Sequence, residues 1–211
     1  MKASAPPRTK GQTRIAPAAP VEAVVIGVSA GGLKALSAIL PGLPRDYPLP
    51  IMICIHLPPG KKSIVAELFD EKCALDVREA EDKEPIQPGT VYFAPPDYHL
   101  MVEPDRRLSL SSEEPVLFSR PSINVLFETA ADAYGPGLLG IVLTGANNDG
   151  AQGLSTIMIA GGTAIIEDPA DAYAAAMPQA AIDACPGARV MGLDEMAIYL
   201  RTIGQAVEAS T

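Results

Sequence analysis

Ser29, His56 and Asp149 are the residue types that make a nucleophile, a general base and a carboxylate that orients the base. Ser29 lies in Gly27-x-Ser29-x-Gly31, where the apolar run Val24-Val25-Ile26 gives way to small residues, and then to apolar residues at helical spacing. A serine on such a strand-to-helix turn is lifted out of the sheet, with its hydroxyl exposed at the carboxyl end of the strand. The flanking glycines tolerate the sharp turn, and the helix that follows aims free N–H groups back at it. His56 follows a second apolar run, Ile51-Met52-Ile53-Cys54-Ile55. Asp149 follows a third, over 137–143, within the turn-forming stretch Thr144-Gly145-Ala146-Asn147-Asn148-Asp149-Gly150. Each candidate therefore closes a predicted strand. Histidine is the usual base for a serine, and a buried carboxylate fixes the tautomer of such a histidine.

Each residue also has a structural reading. Ser29 suits a tight turn or a phosphate-binding turn, His56 a hydrogen-bonded loop, and Asp149 the N-cap of a helix over 151–160. The dinucleotide spacing Gly-x-Gly-x-x-Gly is not met, because position 29 is serine, and the Walker A spacing is absent. Cys54, two residues before His56, sits inside an apolar run and reads as an inert core thiol, with a Cys–His pair as the competing reading. His99, in a predicted hairpin, reads as structural. The chain order Ser, His, Asp differs from the Ser, acid, His order of the α/β-hydrolases.

The elements that must position these residues alternate. Strands are expected over 24–28, 51–55, 75–80, 90–94, 137–143 and 163–166, with a last short one at 189–191. Helices are expected through about position 40 and over 62–73, 122–134, 151–160 and 194–207. An Ala-rich helical stretch after Asp168-Pro169 is expected to be interrupted at Met177-Pro178. Strands at 99–102 and 108–110 form a hairpin turned by Asp105-Arg106-Arg107. The pattern predicts an α/β fold: a doubly wound, mostly parallel sheet with helices on both faces and a small antiparallel hairpin insertion. Ligands bind such sheets beyond the strands' carboxyl ends, where all three candidates fall.

The chain of 211 residues is 48% hydrophobic, enough for one domain with a full core. With 5% aromatic residues and no Trp, that core must be aliphatic. The net charge of −9 argues against general nucleic-acid binding. Three cysteines and two histidines, in no metal-ligand spacing, argue against a dedicated metal site and against a disulfide framework. No apolar run reaches membrane-spanning length, and a cytoplasmic setting is the expectation. Residues 1–20, rich in Pro, Ala, Lys and Arg, read as a flexible N-terminal leader, with the globular domain over 21–211.

Several motifs, in order, resemble those of the CheB methylesterase catalytic domain: Ile26-Gly27-Val28-Ser29-Ala30-Gly31-Gly32, Ile55-His56-Leu57-Pro58-Pro59-Gly60, Arg120-Pro121-Ser122 and Leu143-Thr144-Gly145-Ala146-Asn147-Asn148-Asp149-Gly150. Ala94-Pro95-Pro96, His99-Leu100 and Met177-Pro178 fit as well, and the likeness covers about 22–202. It implies a serine hydrolase that demethylates glutamate γ-methyl esters on chemoreceptor helices, and that in some members deamidates glutamines. By motif match Ser29 is the nucleophile, His56 the base, Asp149 the orienting acid and the backbone N–H of Ala146 the oxyanion donor. No cofactor or metal is implied. The chain departs from the family at Ala30, where Thr is frequent, at Ala146-Asn147, which replaces Met-Gly, and at Ser119, where His is common. A receiver domain precedes the catalytic domain in well-known members, whereas only about 20 irregular residues stand there in this sequence; the form is either stand-alone, which is the expectation, or cut from a longer chain, and a monomer is expected. The competing expectations are a small-molecule esterase or amidase with the same triad, and a non-catalytic binding module.

Overall fold

In the computed structural model the described residues are 19–56 and 64–209. Their elements are β1 (Ala23–Val28), α1 (Gly32–Ile39), β2 (Ile51–Ile55), α2 (Val65–Asp70), β3 (Asp76–Glu79) and β4 (Thr90–Phe93). There follow β5 (His99–Val102), β6 (Leu108–Ser111), α3 (Ile123–Tyr134), β7 (Leu138–Val142) and α4 (Ala151–Ile159). The series closes with β8 (Thr163–Glu167), α5 (Ala176–Ala184), β9 (Arg189–Met191) and α6 (Leu193–Glu208). Most of the expected leader, and residues 57–63, lie outside the described residues.

The main sheet has the order β3-β4-β2-β1-β7-β8-β9, and every pairing in it is parallel. Its central strands are continuous apolar runs because both faces are covered. Along β1, Val24, Ile26 and Val28 pack with α1, α2 and α6, while Ala23 and Val25 pack on the other face with α3, α4 and α5. The hairpin β5–β6 is a separate antiparallel pair, as expected. It is tied to α3 by the N–H of Val102, which donates to Thr129 Oγ1 at 3.1 Å. Gly27 has a packing reason: a Cβ there would meet Ile123 Cγ2 at 2.3 Å, so glycine lets the start of α3 rest on β1.

Two expectations change. Met177-Pro178 does not interrupt a helix; both residues lie in the first turn of α5. Proline is tolerated there, since the first N–H groups of a helix have no carbonyl partner within it. The helix after β2 is shorter than expected, Val65–Asp70, with positions 62 and 63 outside the described residues. Among the described residues no helix is long and apolar enough to cross a membrane.

The sheet order positions the site. The chain leaves the central β1 for β2 on one side and later returns to β7 on the other. The carboxyl ends of β2, β1 and β7 are thus neighbours at the point where the winding reverses, the usual place for a ligand crevice.

Candidate active site

Ser29 follows β1 directly. Its N–H donates to the carbonyl of Thr144 at 2.9 Å, and its own carbonyl accepts from Gly32 N–H at 2.9 Å. Gly31, the residue before α1, has φ +83, a left-handed conformation that disfavours a side chain. A Cβ at this position would also lie 2.5 Å from Cβ of Tyr173. Both constraints favour the glycine that the turn carries. Among the described residues the Ser29 hydroxyl has no hydrogen-bond partner.

His56 is the residue after β2. Val28 pairs with Ile55 in register, and His56 N–H donates to Val28 O at 3.1 Å. Ser29 and His56 therefore leave adjacent parallel strands side by side. The imidazole is nearly buried, its side chain 12% exposed, and its Nε2 lies 2.9 Å from Asp149 Oδ2.

Asp149 is buried, and its carboxylate is saturated with donors. Oδ2 accepts from His56 and from Ile123 N–H at 2.7 Å. Oδ1 accepts from the Ser122 hydroxyl, Asn124 N–H and Gly150 N–H, each at 3.0 Å. Asp149 therefore caps α3, not α4 as its place in the sequence suggests; the residue before α4 is Gly150, at φ +92. The start of α4 is capped in return by Asn124, whose Oδ1 accepts from Gly150 N–H at 3.0 Å and Gly153 N–H at 2.8 Å. The two helix starts cap each other, and the carboxylate is locked at their junction.

Burial raises the Asp149 pKa, but the hydrogen bond from His56 and the backbone N–H groups of Asn124 and Ile123 outweigh it, leaving the carboxyl below its ordinary value. The ionised carboxylate can only accept, so Nε2 of His56 carries a proton and Nδ1 is the nitrogen left to act as a base. Nδ1 lies 3.3 Å from Asn147 Nδ2.

Four further residues hold the site, and of these only Glu167 goes unremarked in the sequence. Ser122 belongs to the Arg-Pro-Ser stretch, and its N–H donates to His99 Nδ1 at 3.1 Å. His99 is buried, 2% exposed, with Nε2 at 3.2 Å from the Glu114 carbonyl, which fits its structural reading. Thr144 accepts from Ala174 N–H on its hydroxyl at 2.8 Å, while its own N–H donates to Glu167 Oε2 at 2.7 Å. The one local signal for Glu167 is a charged residue ending the apolar run Ala164-Ile165-Ile166 of a buried strand.

The loop 144–150 is organised by these contacts. The N–H groups of Thr144 and Gly145 are taken up by Glu167 and Ala174, and that of Asp149 by Asn147 Oδ1 at 3.1 Å. Ala146 is exposed, and among the described residues its N–H has no acceptor. A cavity of about 260 Å³ lies against His56, walled by Asp97, Arg120, Pro121 and the fully exposed Phe118. Cys54 is fully buried, and burial followed by the nearby Asp149 charge pushes its thiol well above the ordinary value. Among the described residues no three His, Cys, Asp or Glu side chains gather as metal ligands.

The family model described as CheB methylesterase matches residues 24–200. A relative from Leptospira interrogans is 48% identical over 181 residues, 85% of this chain and 94% of its own length. Protein-glutamate methylesterase/protein-glutamine glutaminase 2 of Caulobacter vibrioides is 37% identical over 96% of this chain and 61% of its own length. Protein-glutamate methylesterase FrzG of Myxococcus xanthus is 36% identical over 96% of this chain and 58% of its own length. The chain thus spans only about six tenths of the last two. Among solved structures, the catalytic domain of Thermotoga maritima CheB methylesterase matches with TM-score 0.81 and 32% identity, over 88% of this chain and 100% of that one.

Proposed function

The chain belongs to the CheB methylesterase family, and from that membership we propose that it hydrolyses glutamate γ-methyl esters on chemoreceptor helices in chemotaxis adaptation. Ser29 is the nucleophile, His56 the general base and Asp149 the orienting carboxylate. The observation that carries this reading is the 2.9 Å bond between His56 and the buried Asp149, beside the strand end that bears Ser29.

Ser29 Oγ attacks the ester carbonyl while Nδ1 of His56 takes the hydroxyl proton. Asp149 holds Nε2–H and stabilises the imidazolium that forms. The oxyanion is met by the N–H of Ala146, a backbone donor that does not depend on the side chain the family carries there. Removing one such donor elsewhere costs about 10²–10³ in rate. Collapse of the tetrahedral intermediate expels methanol, which takes the proton from Nδ1. Water then attacks the acyl-enzyme by the same route, releasing glutamate and free Ser29. A glutamine side chain can follow the same path, with ammonia as the leaving group.

The fully exposed Phe118 at the cavity edge, with the exposed Leu117 next to it in the chain, favours a protein surface over a small ester. Exposed apolar side chains grouped at a rim are typical of a docking edge. In this reading the enzyme works as a monomer in the cytoplasm, on the methylated helices of the receptor. The test is methanol release from methylated receptor membranes. Wild type should release methanol and Ser29→Ala should not. Turnover of small esters with no action on receptors would move the assignment to a small-molecule esterase. Equal release by Ser29→Ala would overturn the triad.

A further inference from the structure

Asp149 takes one nitrogen of His56, Nε2, at 2.9 Å, and His56 can accept a proton from Ser29 only through the other, Nδ1. The side chain that faces Nδ1 is Asn147. Its amide orientation is fixed by the loop: Asp149 N–H must donate, and its acceptor is Asn147 Oδ1 at 3.1 Å. The other end of the amide, Nδ2, is then turned to His56 Nδ1 at 3.3 Å. An amide N–H facing Nδ1 satisfies its lone pair in the neutral ring. It faces a second N–H once Nδ1 is protonated, and two donors repel.

We propose that Asn147 is a positioning residue whose amide N–H, aimed at Nδ1, favours the His56 ring in its proton-accepting form. The inference rests on the triad reading above. It gives a role to a side chain that replaces the glycine of the family's Met-Gly. At 3.3 Å the contact is long, so Ser29 Oγ can take over the Nδ1 lone pair when substrate arrives. The other ionisable groups around the ring are Asp97 and Arg120 across the cavity and Cys54 on β2. Farther out, the Asp149 charge reaches Glu128 on α3, and His99 lies behind Ser122.

The experiment compares kcat/KM against pH for wild type, Asn147→Ala and Asn147→Asp, with methylated receptor as substrate. A neutral hydrogen bond of ordinary strength predicts that the acidic limb of Asn147→Ala moves to higher pH by about half a unit to one unit. Asn147→Asp keeps an oxygen for Asp149 N–H but puts a carboxylate at Nδ1, so its limb should move further in the same direction. If Asn147 only braces the loop through Oδ1, Asn147→Ala should lose stability but keep the wild-type limb, and that result overturns the proposal. So do superimposed limbs for all three proteins. The charge state of the His56 ring, followed by NMR against pH in the same variants, gives the answer without turnover. Should wild type fail to demethylate receptor, the substrate reading falls while the NMR series still decides the role of Asn147.

Discussion

The hydroxyl of Thr144, at the end of β7, donates to the carbonyl of Ala30 at 2.8 Å, joining the loop that bears Asp149 to the turn that bears Ser29. The same hydroxyl accepts from Ala174 N–H at 2.8 Å, so one side chain ties three segments together behind the site. Burial raises the Glu167 carboxyl above its ordinary value, although the hydrogen bond from Thr144 N–H counters it. The support behind the Ser29 turn is therefore polar, buried and closely paired, the kind of network in which single losses are costly.

Thr144→Val keeps the shape and removes the hydroxyl. It leaves Ala30 C=O and Ala174 N–H without that partner, at a cost of about 1–3 kcal/mol in stability. Because the turn bearing Ser29, the proposed nucleophile, loses a brace, kcat should fall about tenfold with KM nearly unchanged, equivalent to about 1.4 kcal/mol in the barrier. Thr144→Ser should recover most of both. Denaturant unfolding and steady-state kinetics on the two variants check this; a Val variant with wild-type kcat would remove Thr144 from the support of Ser29.

The Asp149 carboxyl titrates below its ordinary value of 3.8 in the folded protein. In the window below 3.8 the unfolded chain binds more protons than the folded one. The stability that Asp149 contributes is therefore fully present above that window and is lost as pH falls through the lowered folded value. Asp149→Asn removes the titration, so the stability gap between wild type and variant should narrow as pH drops from about 6 to about 2. A gap independent of pH would contradict the assignment. The same variant, able to donate where the carboxylate accepted, should lose about 10⁴ in kcat, the scale set by the equivalent change in other triads.

All three thiols are pushed up by burial, Cys54 well above the ordinary value and the partly buried Cys73 to about 11. A thiol so disfavoured as thiolate is a poor nucleophile. Iodoacetamide at neutral pH should leave methylesterase activity intact and modify Cys73 before Cys54 or Cys185, as peptide mapping would show. Loss of activity in step with alkylation of Cys54 would restore the Cys–His pair as the reacting couple.

Much of this site is legible in the linear chain. Apolar β-branched runs of the right length mark β1, β2 and β7, and the small or polar residues that end them mark Ser29, His56 and the loop to Asp149. Glycine at position 31 announces a turn that a side chain would hinder. These are local properties, set by propensity and by burial on both sheet faces, and they hold whatever lies next to them in space.

What the chain in order does not reveal is which strand ends become neighbours. The order β2-β1-β7 brings residue 149 within 2.9 Å of residue 56, across a separation of 93 positions, and only the packing of both helical layers on the sheet selects that order. The same packing turns Asp149 from the helix that follows it in sequence to α3, because that helix start is the one pressed against β1 over Gly27. It likewise aims the Asn147 amide at His56 and sets Glu167 beneath Thr144. Hydrogen-bond partners of buried polar groups are chosen by proximity in the folded core, where an unpaired group is costly, and proximity there is a property of the tertiary structure alone.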